Sequence, residues 1–244
     1  MPRTVLITGA STGLGAAAAR ALAEDSFVFI HYNKSEDAAK AVLADVQRLG
    51  GTGEVVKADV GSKSDCDRLV DQVAKKSRSL DVLVNNAGGL IERQSVDDGL
   101  TWELMHTVFD INTFSAMYIT SRLAPLLRKG SNASVINITS VAMRHGNPSA
   151  TIYGACKAAL DSFTRGAAKE LAPEVRVNSI APGVIETPFH ERYSTPQRMR
   201  GFAEATPLKH NGKAEDIAAA ICFLVENDFI TGESIDVNGG IFMR

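Results

Sequence analysis

A tyrosine and a lysine lie four residues apart in the stretch YGACK, at Tyr153 and Lys157. In a helix this spacing places both side chains on one face. A free tyrosine has a pKa of about 10 and is a poor acid or base at pH 7, but a nearby ammonium group favours the phenolate and lowers that pKa. The pair could therefore transfer protons. The spacing alone also occurs by chance in many helices, so the rest of the chain must decide.

Two further polar residues are candidates to act with this pair. Ser140 follows a predicted strand at 134–139, and ligands of open α/β sheets bind beyond the carboxyl ends of the strands. Thr139 is the competing hydroxyl. Asn112 lies within a predicted helix at 101–128, where Asn is locally unfavourable, so a functional role is one reading and an exposed or capping Asn is the other.

A glycine-rich turn, TGASTGLG at 8–15, connects the first predicted strand to an alanine-rich helix. Such a turn lets the backbone approach a phosphate closely, and the helix N-terminus adds free N–H groups and a partial positive charge. A purely structural turn is the alternative. Because the turn follows the first strand, we expect a nucleotide pyrophosphate to bind there. The spacing, Gly-x-x-x-Gly-x-Gly, differs from the common dinucleotide fingerprint.

Strand-like and helix-like segments alternate along the whole chain. This pattern predicts an α/β fold, a single doubly wound (Rossmann-type) domain over 1–244 with a seven-stranded parallel sheet flanked by helices. The least regular stretch, 186–212, carries three prolines and is expected to be a substrate loop. The predicted strands are 5–8, 27–32, 53–57, 80–85, 134–139, 175–181 and 234–237; the predicted helices are 13–24, 35–49, 63–78, 101–128, 151–171 and 213–225.

Composition narrows the function further. The 244 residues carry a net charge of −2, which gives no indication of nucleic-acid or membrane binding. Three scattered cysteines and no Cys-x-x-Cys pair argue against disulfides or a zinc site and favour buried free thiols; we expect no metal. The N-terminus lacks a signal-peptide pattern, so a cytoplasmic protein is the default expectation.

The end of the second predicted strand, HYNKS, bears on which nucleotide binds. NAD-selective proteins of this fold carry an acidic residue here to bind the ribose hydroxyls. The first acids, Glu36 and Asp37, are expected to begin a helix capped by Ser35. Lys34 could instead meet a 2′-phosphate, with Asn33 and Ser35 adding hydrogen bonds. We therefore expect NADP(H) in preference to NAD(H), although a solvated Lys34 is the alternative.

Taken together, TGASTGLG, the NNAG at 85–88, Asn112, Ser140 and YGACK resemble the short-chain dehydrogenase/reductase family, and within it 3-oxoacyl-(acyl-carrier-protein) reductases and related sugar and keto-acid reductases. The likeness covers essentially the whole chain. It implies an NAD(P)(H)-dependent oxidoreductase in which Tyr153 exchanges a proton with a carbonyl or alcohol, Ser140 polarises the carbonyl, Lys157 lowers the tyrosine pKa, and Asn112 kinks its helix and supports a water relay.

The resemblance also implies the cofactor contacts. Asp59 and Val60 would meet the adenine, and a Pro-Gly loop would lie along the nicotinamide. The full set of expected cofactor residues is Gly9, Ser11, Thr12, Gly13, Leu14, Gly15, Asn33, Lys34, Ser35, Asp59, Val60, Asn86, Ala87, Gly88, Tyr153, Lys157, Pro182, Gly183, Ile185 and Thr187. Asp59 could alternatively cap the turn that follows it.

The resemblance further implies that the substrate is a carbonyl compound, either small or carried on a protein, and that the protein forms a homotetramer. The stretch 189–213 has five Lys or Arg residues and two Glu residues, which makes an anionic substrate plausible; a solvated charged loop is the alternative. Arg128, Lys129 and Lys169 could dock an acidic carrier. A non-catalytic dinucleotide sensor is the rival class, and the intact set of Asn112, Ser140, Tyr153 and Lys157 argues against it.

Overall fold

A computed structural model describes residues 2–188 and 193–243. The strands are β1 (Arg3–Ile7), β2 (Ser26–Tyr32), β3 (Thr52–Lys57), β4 (Val82–Asn85), β5 (Ala133–Ile138), β6 (Val175–Pro182), β7 (Ile185–Glu186), β8 (Gly212–Lys213) and β9 (Ser234–Val237). Seven of them form the predicted parallel sheet, in the order β3-β2-β1-β4-β5-β6-β9. The two short strands β7 and β8 form a separate parallel pair.

Helices cover both faces of the sheet. They are α1 (Gly13–Ala21), α2 (Glu36–Arg48), α3 (Lys63–Lys76), α4 (Trp102–Phe109), α5 (Ser115–Leu127), α6 (Ala142–His145), α7 (Thr151–Leu171), α8 (Pro196–Ala205) and α9 (Ala214–Glu226), with a π-helical segment at Asp110–Phe114 between α4 and α5. No helix in the described part of the chain is long and apolar enough to cross a bilayer.

The apolar sequence of β1 explains why the sheet is covered on both sides. Val5 and Ile7 pack into one hydrophobic cluster, and Leu6, between them, packs into the other. Successive side chains of a strand point to opposite faces, so a strand that is apolar throughout needs helices on both faces. The strand order reverses between β1 and β4, and the crevice beyond the carboxyl ends of these two strands is where such folds bind ligands.

The structure corrects two predictions about regular elements. The helix that the residue pattern predicted at 101–128 is interrupted by the π-helical segment that contains Asn112, where the family resemblance implied a kink. The irregular stretch 186–212 contains α8 and the start of β8. Thr195 caps α8, since its side chain accepts a hydrogen bond from the Arg198 N–H, and Pro196 follows at the first position, where its missing N–H costs nothing.

The cysteines follow the prediction of free thiols. Cys66 and Cys156 are buried, whereas Cys222 is only partly buried. Burial raises the pKa of both the Cys66 and the Cys156 thiol to about 11. Cys156 therefore stays a neutral, packed side chain between Tyr153 and Lys157 on the sequence, without a chemical role in the pair.

Candidate active site

Helix α7 brings Tyr153 and Lys157 to the carboxyl end of β5. Lys157 is 3% exposed, and its ammonium nitrogen donates a hydrogen bond of 2.9 Å to the carbonyl oxygen of Ile138, the last residue of β5. The same nitrogen lies 5.7 Å from the centroid of the Tyr153 ring. The helix thus presents both side chains to one place, as the spacing predicted.

Ser140 is the hydroxyl at this site, and Thr139 is excluded from it. Thr139 is buried and donates its hydroxyl to the carbonyl oxygen of Ile180 on the neighbouring strand, at 2.8 Å. The Ser140 side chain is hydrogen-bonded to Tyr153, and its oxygen also accepts a bond of 3.1 Å from the Ala142 N–H. Of the two hydroxyls that the sequence left open, only Ser140 contacts the tyrosine.

Burial shifts the pKa values of Tyr153 and Lys157 in opposite directions. Burial raises the pKa of Tyr153 to about 12, and the hydrogen bond from Ser140 opposes the rise. Burial lowers the pKa of Lys157 to about 8. In the protein alone, desolvation outweighs the neighbouring charge, because it disfavours both charged forms and the Lys157 ammonium group is bonded to the Ile138 carbonyl. The lowering of the tyrosine pKa by Lys157 stays a prediction for the site with bound cofactor.

Asn112 is fixed by three hydrogen bonds in the π-helical segment. Its amide nitrogen donates to the carbonyl oxygens of Gly89 and Val108, at 2.8 and 2.9 Å, and its side-chain oxygen accepts from the Gly89 N–H at 3.0 Å. The helix interruption expected at Asn112 is present, and π-helical turns are frequent at functional sites. Its side chain holds the loop after β4 against the helix.

Gly88 lies between the side chains of Asn112 and Lys157. A methyl group at Gly88 would lie 2.6 Å from the Asn112 side-chain oxygen and 3.2 Å from the Lys157 ammonium nitrogen. Real side chains do not approach so closely, so only glycine fits between these two polar groups. The loop after β4, Asn112 and Lys157 form one packed unit next to Tyr153.

The two asparagines of NNAG hold the central strands together. Asn86 donates from its side chain to the carbonyl oxygens of Thr8 and Gly9, at 2.8 and 3.0 Å. Asn85 donates from its side chain to the Thr120 hydroxyl on α5 at 2.9 Å and to the side-chain oxygen of Asn137 on β5 at 2.8 Å. Ala87, which follows them, packs partly buried against the core and donates its N–H to the Thr8 hydroxyl. These bonds tie the end of β4 to the glycine turn on one side and to β5 on the other.

His31 was missed by the sequence analysis, although it supports the glycine turn. Its Nδ1 accepts the Gly9 N–H at 2.9 Å, and its Nε2 lies 3.1 Å from the Ala58 carbonyl oxygen. These partners require the neutral ring with the proton on Nε2. Burial lowers its pKa to about 4. A histidine in a strand otherwise made of apolar and aromatic residues was the available signal.

The remaining predicted cofactor residues line the crevice between β1 and β4. Gly9 and Gly13 have φ of +64° and +54°, which favours glycine, and Gly15 leaves no room for a methyl group beside the Gly9 carbonyl. Ser11 and Thr12 lie on the turn, and Leu14 packs against the core. Thr187 approaches this turn from the opposite side: a methyl group on Gly13 would be 3.5 Å from its Cβ.

The Pro-Gly segment that leads to Thr187 is anchored at the end of β6. Pro182 is the last residue of β6, and the Gly183 N–H donates to the Val237 carbonyl oxygen at 2.9 Å. A methyl group on Gly183 would lie 2.7 Å from the Cα atom of Asn238. Ile185, in β7, is buried, and its carbonyl oxygen accepts a bond of 3.3 Å from the Thr187 hydroxyl.

Side chains at the ends of β2 and β3 have different surroundings. Asn33, Lys34 and Ser35 are exposed beyond β2. Helix α2 begins at Glu36 with Ser35 at its cap position, as predicted, but the Ser35 side chain makes no hydrogen bond to the first turn. Asp59 is exposed and accepts the Gly61 N–H at 3.0 Å, so it does cap its turn, while Val60 beside it is buried. Glu36, the first acid after β2, pairs with Lys40 at 2.7 Å.

Comparison with known proteins identifies the family. A family model described as enoyl-(acyl carrier protein) reductase matches residues 9–242. The chain belongs to the short-chain dehydrogenase/reductase family. The members of this family are oxidoreductases that bind a nicotinamide dinucleotide. The family resemblance inferred from the motifs is thereby confirmed.

Relatives within the short-chain dehydrogenase/reductase family match over nearly the full chain. A 3-oxoacyl-[acyl-carrier-protein] reductase of Synechocystis is 37% identical over 99% of this chain and 97% of the relative. The corresponding reductase of Thermotoga maritima is 33% identical over 98% and 97%. An NADH-dependent reductase of alginate metabolism has a similar structure, with 29% identity, a TM-score of 0.90 and coverage of 100% and 98%. An angucycline C-6 ketoreductase with bound NADP has 28% identity, a TM-score of 0.88 and coverage of 98% and 95%.

The crevice suits the dinucleotide that short-chain dehydrogenases/reductases bind. Helix α1 begins at the glycine turn with Thr12 at its cap position, and no side chain caps it. Its first turn contains no acidic residue. The unpaired N–H groups and the positive end of the helix dipole are therefore available to a pyrophosphate. In the described structure, the donor set and the close backbone approach at Gly9 and Gly15 both fit that group.

Proposed function

We propose that this enzyme reduces a carbonyl compound to a secondary alcohol, with Tyr153 as the proton donor. The observation that supports this most directly is the contact of Tyr153 with Ser140 at the carboxyl end of β5, with Lys157 on the same helix face. A bound reduced nicotinamide supplies the hydride. The side chains described above then have to bind the carbonyl oxygen and move one proton to it.

The pKa of Tyr153 favours reduction over oxidation. With a pKa raised to about 12, its hydroxyl is protonated at pH 7 and ready to donate to a carbonyl oxygen that gains negative charge. Ser140 would donate a second hydrogen bond to that oxygen and stabilise the charge. To act as a base on an alcohol, Tyr153 would need additional positive charge nearby, which the Lys157 ammonium supplies only in part while it is bonded to Ile138.

Lys157 and Asn112 have supporting roles in this proposal. Lys157 would hold the nicotinamide ribose and supply positive charge beside the tyrosine ring, which lies 5.7 Å away. Asn112 would maintain the π-helical turn and the position of Gly88 and Gly89, where the sequence resemblance implies a water relay. The roles of Lys157 and Asn112 are thus to position and support the groups that react.

For the cofactor, we propose NADP(H) in preference to NAD(H). Lys34 is exposed at the end of β2 and forms no ion pair with any described carboxylate, so it is available to a 2′-phosphate, with Asn33 and Ser35 beside it. Glu36 is bonded to Lys40 instead of facing the crevice as an unpaired acid. An acid that is already paired is a poor ligand for the ribose hydroxyls.

The substrate class remains the 3-oxoacyl type or a sugar, uronate or keto acid. We propose that 186–212 forms the substrate loop, as part of a single domain. Two of the side chains of this loop that could meet an anionic substrate, His190 and Arg192, lie outside the described residues. Three basic residues were considered for docking an acidic carrier protein. One of them, Arg128, pairs with Glu174 at 2.9 Å. The proposed docking patch is therefore reduced to Lys129 and Lys169.

A homotetramer is part of the proposal. The family likeness implies that the helices predicted at 101–128 and 151–171 and the last strand pair between subunits. Large apolar side chains are exposed on or beside two of these elements: Trp102 and Phe114, on α4 and the π-helical segment, are 68% and 48% exposed, and Phe229, before β9, is 97% exposed. Assembly through these elements would cover them.

The proposed function is tested by mixing the protein with NADPH or NADH and a panel of carbonyl compounds. The panel contains 3-oxoacyl thioesters, 2-oxo acids, uronates and neutral ketones, and the loss of reduced-nicotinamide absorbance is followed. We expect turnover with at least one class and tighter binding of NADPH. Tight cofactor binding without turnover of any carbonyl would overturn the proposal in favour of a dinucleotide sensor.

A further inference from the structure

One buried donor atom of a cationic side chain outside the catalytic set has no hydrogen-bond partner among the described residues. It is the Nη1 atom of Arg93. Arginine is always protonated in proteins, and an unmet donor on a charged, buried group is costly to keep. Such an atom needs an explanation, and a ligand that is absent from the structure is one.

Arg93 lies on a segment fixed to the active site at both ends. On one side, the Gly89 N–H is held by the side chain of Asn112. On the other side, the Gln94 N–H donates to the Ser149 carbonyl oxygen at 3.1 Å, and Gln94 pairs with Ala150, which precedes the helix that carries Tyr153. Arg93 is therefore positioned at the rim of the catalytic cleft.

The other edge of this rim belongs to the segment proposed to cover the substrate. The Nε atom of Arg93 donates a long hydrogen bond of 3.4 Å to the Tyr193 carbonyl oxygen, just before α8. Arg198, in the first turn of α8, is close enough that its charge, after burial, lowers the pKa of Arg93. The Arg198 guanidinium lies 5.5 Å from the Phe202 ring centroid, which orients it.

Two guanidinium groups near one another repel each other, and partial burial strengthens the repulsion. Neither Arg93 nor Arg198 forms an ion pair with a carboxylate in the described ranges, 2–188 and 193–243. An oxyanion between them would remove the repulsion and satisfy the open Nη1 donor, because the arginine fork matches carboxylate and phosphate oxygens.

We propose that Arg93, together with Arg198, binds an oxyanion group of the carbonyl substrate, remote from the carbonyl that Tyr153 protonates. This rests on the proposed carbonyl reduction and narrows its substrate class to anionic carbonyl compounds. The oxyanion is either the carboxylate of an oxo acid or uronate, or the phosphate of a phosphopantetheine thioester.

Matched substrates separate these possibilities. One arm compares 4-oxopentanoate and 5-oxohexanoate with their methyl esters, which keep the carbonyl but lose the charge. The second arm compares acetoacetyl-pantetheine with its 4′-phosphate. We expect the wild-type enzyme to prefer the charged member in one arm by about 10- to 100-fold in kcat/KM, mostly through KM. The arm in which this occurs identifies the oxyanion.

The variants R93Q, R93K and R198Q then locate the charge preference. R93Q should raise KM for the charged member about 10- to 100-fold and leave the neutral member within about twofold; R93K, which keeps the charge without the fork, should restore part of the loss. R200Q is the matched control, because Arg200 is an exposed residue of the same helix. Far-ultraviolet circular dichroism and thermal melting confirm that each variant is folded.

Each remaining outcome decides against the inference. Equal losses for charged and neutral substrates in R93Q would show that Arg93 only holds the loop or a water molecule. Equal kcat/KM of wild type for both members of every pair would also overturn it, while carbonyl reduction itself would stand. If no carbonyl is reduced, neutral esters included, both the proposed function and this inference fail.

Discussion

The ammonium nitrogen of Lys157 donates a 2.9 Å hydrogen bond to the carbonyl oxygen of Ile138. Ile138 ends β5, and Ser140 follows two residues later. This single bond therefore fixes the helix that carries Tyr153 to the strand that delivers Ser140. Keeping a protonated lysine in this buried place is unfavourable, since burial lowers its pKa to about 8. A side chain retained at such a cost is expected to serve the chemistry.

Replacing Tyr153 by Phe should lower kcat by about 1000-fold, because a positioned acid contributes a factor of roughly 100 to 10,000. The ring still packs, so cofactor affinity should change by less than about threefold. Stopped-flow single turnovers and fluorescence titration with NADPH measure the two quantities. Tyr118→Phe is the control, since that hydroxyl, on α5, donates to Asp67 on α3. Full turnover of Y153F would remove Tyr153 from the mechanism.

Replacing Lys157 by Met should change how stability depends on pH. The unfolded lysine titrates near its ordinary value of 10.5 and the folded one near 8, so between these pH values the unfolded state binds more protons. The contribution of Lys157 to the free energy of unfolding should therefore rise by about 3 kcal/mol from pH 8 to 10.5. Cys66 and Cys156 act in the opposite direction, since burial raises the pKa of both thiols to about 11. The Lys157 contribution is therefore measured as the difference between wild type and K157M.

Urea titrations of wild type and K157M across this pH range provide the measurement. The free energy of unfolding of wild type relative to K157M should rise with pH, and K157M should also lose most of its turnover. Lys169→Met, at an exposed position near the end of the same helix, should show the pH dependence of wild type. An identical pH dependence of stability in K157M and wild type would mean that Lys157 does not contribute to it.

The sequence predicted the sheet and the principal site residues because both depend on local patterns. Apolar runs such as that of β1 must be buried on both faces, and the glycine turn needs residues that allow positive φ at Gly9 and Gly13. Contacts between distant segments could not be predicted in this way. His31 binds Gly9 from 22 residues away, and Arg93 meets Tyr193 from 100 residues away. The pKa shift of Tyr153 also depended on burial, which only packing determines.

Replacing Gly88 by Ala should lower kcat/KM by about 10- to 100-fold, since an added methyl group would displace the Asn112 side chain or the Lys157 ammonium. The control is Gly166→Ala in α7, where an added methyl group meets nothing within 4 Å. That change should raise the free energy of unfolding by about 1 kcal/mol and leave turnover unaltered. Wild-type activity in G88A would show that this packed unit tolerates displacement.

Acidification should destabilise the protein through His31. Its pKa is about 4 in the folded state and 6.5 in its ordinary state, so the unfolded chain binds an extra proton between these values. Stability is complete above pH 6.5 and should fall by about 3 kcal/mol as the pH drops to 4. In His31→Gln this part of the fall should be missing, while His145→Gln, at an exposed position, should keep it. Guanidinium unfolding at pH 4.5 and 7 measures the difference.

Replacing Lys34 by Ala should reduce the preference for NADPH. If its ammonium group meets the 2′-phosphate, its loss removes one charge-assisted hydrogen bond, which is worth a factor of about 10 in affinity for NADPH. NADH, which lacks the phosphate, should bind K34A within about twofold of its affinity for wild type.

Fluorescence titrations with both cofactors, at two salt concentrations, give the ratio of the NADPH and NADH affinities. The NADPH affinity of wild type should also decline more steeply with salt than that of K34A. Lys75→Ala, on α3, controls for a general loss of positive charge. An unchanged ratio in K34A would refute the proposed contact and reopen the choice between NADP(H) and NAD(H).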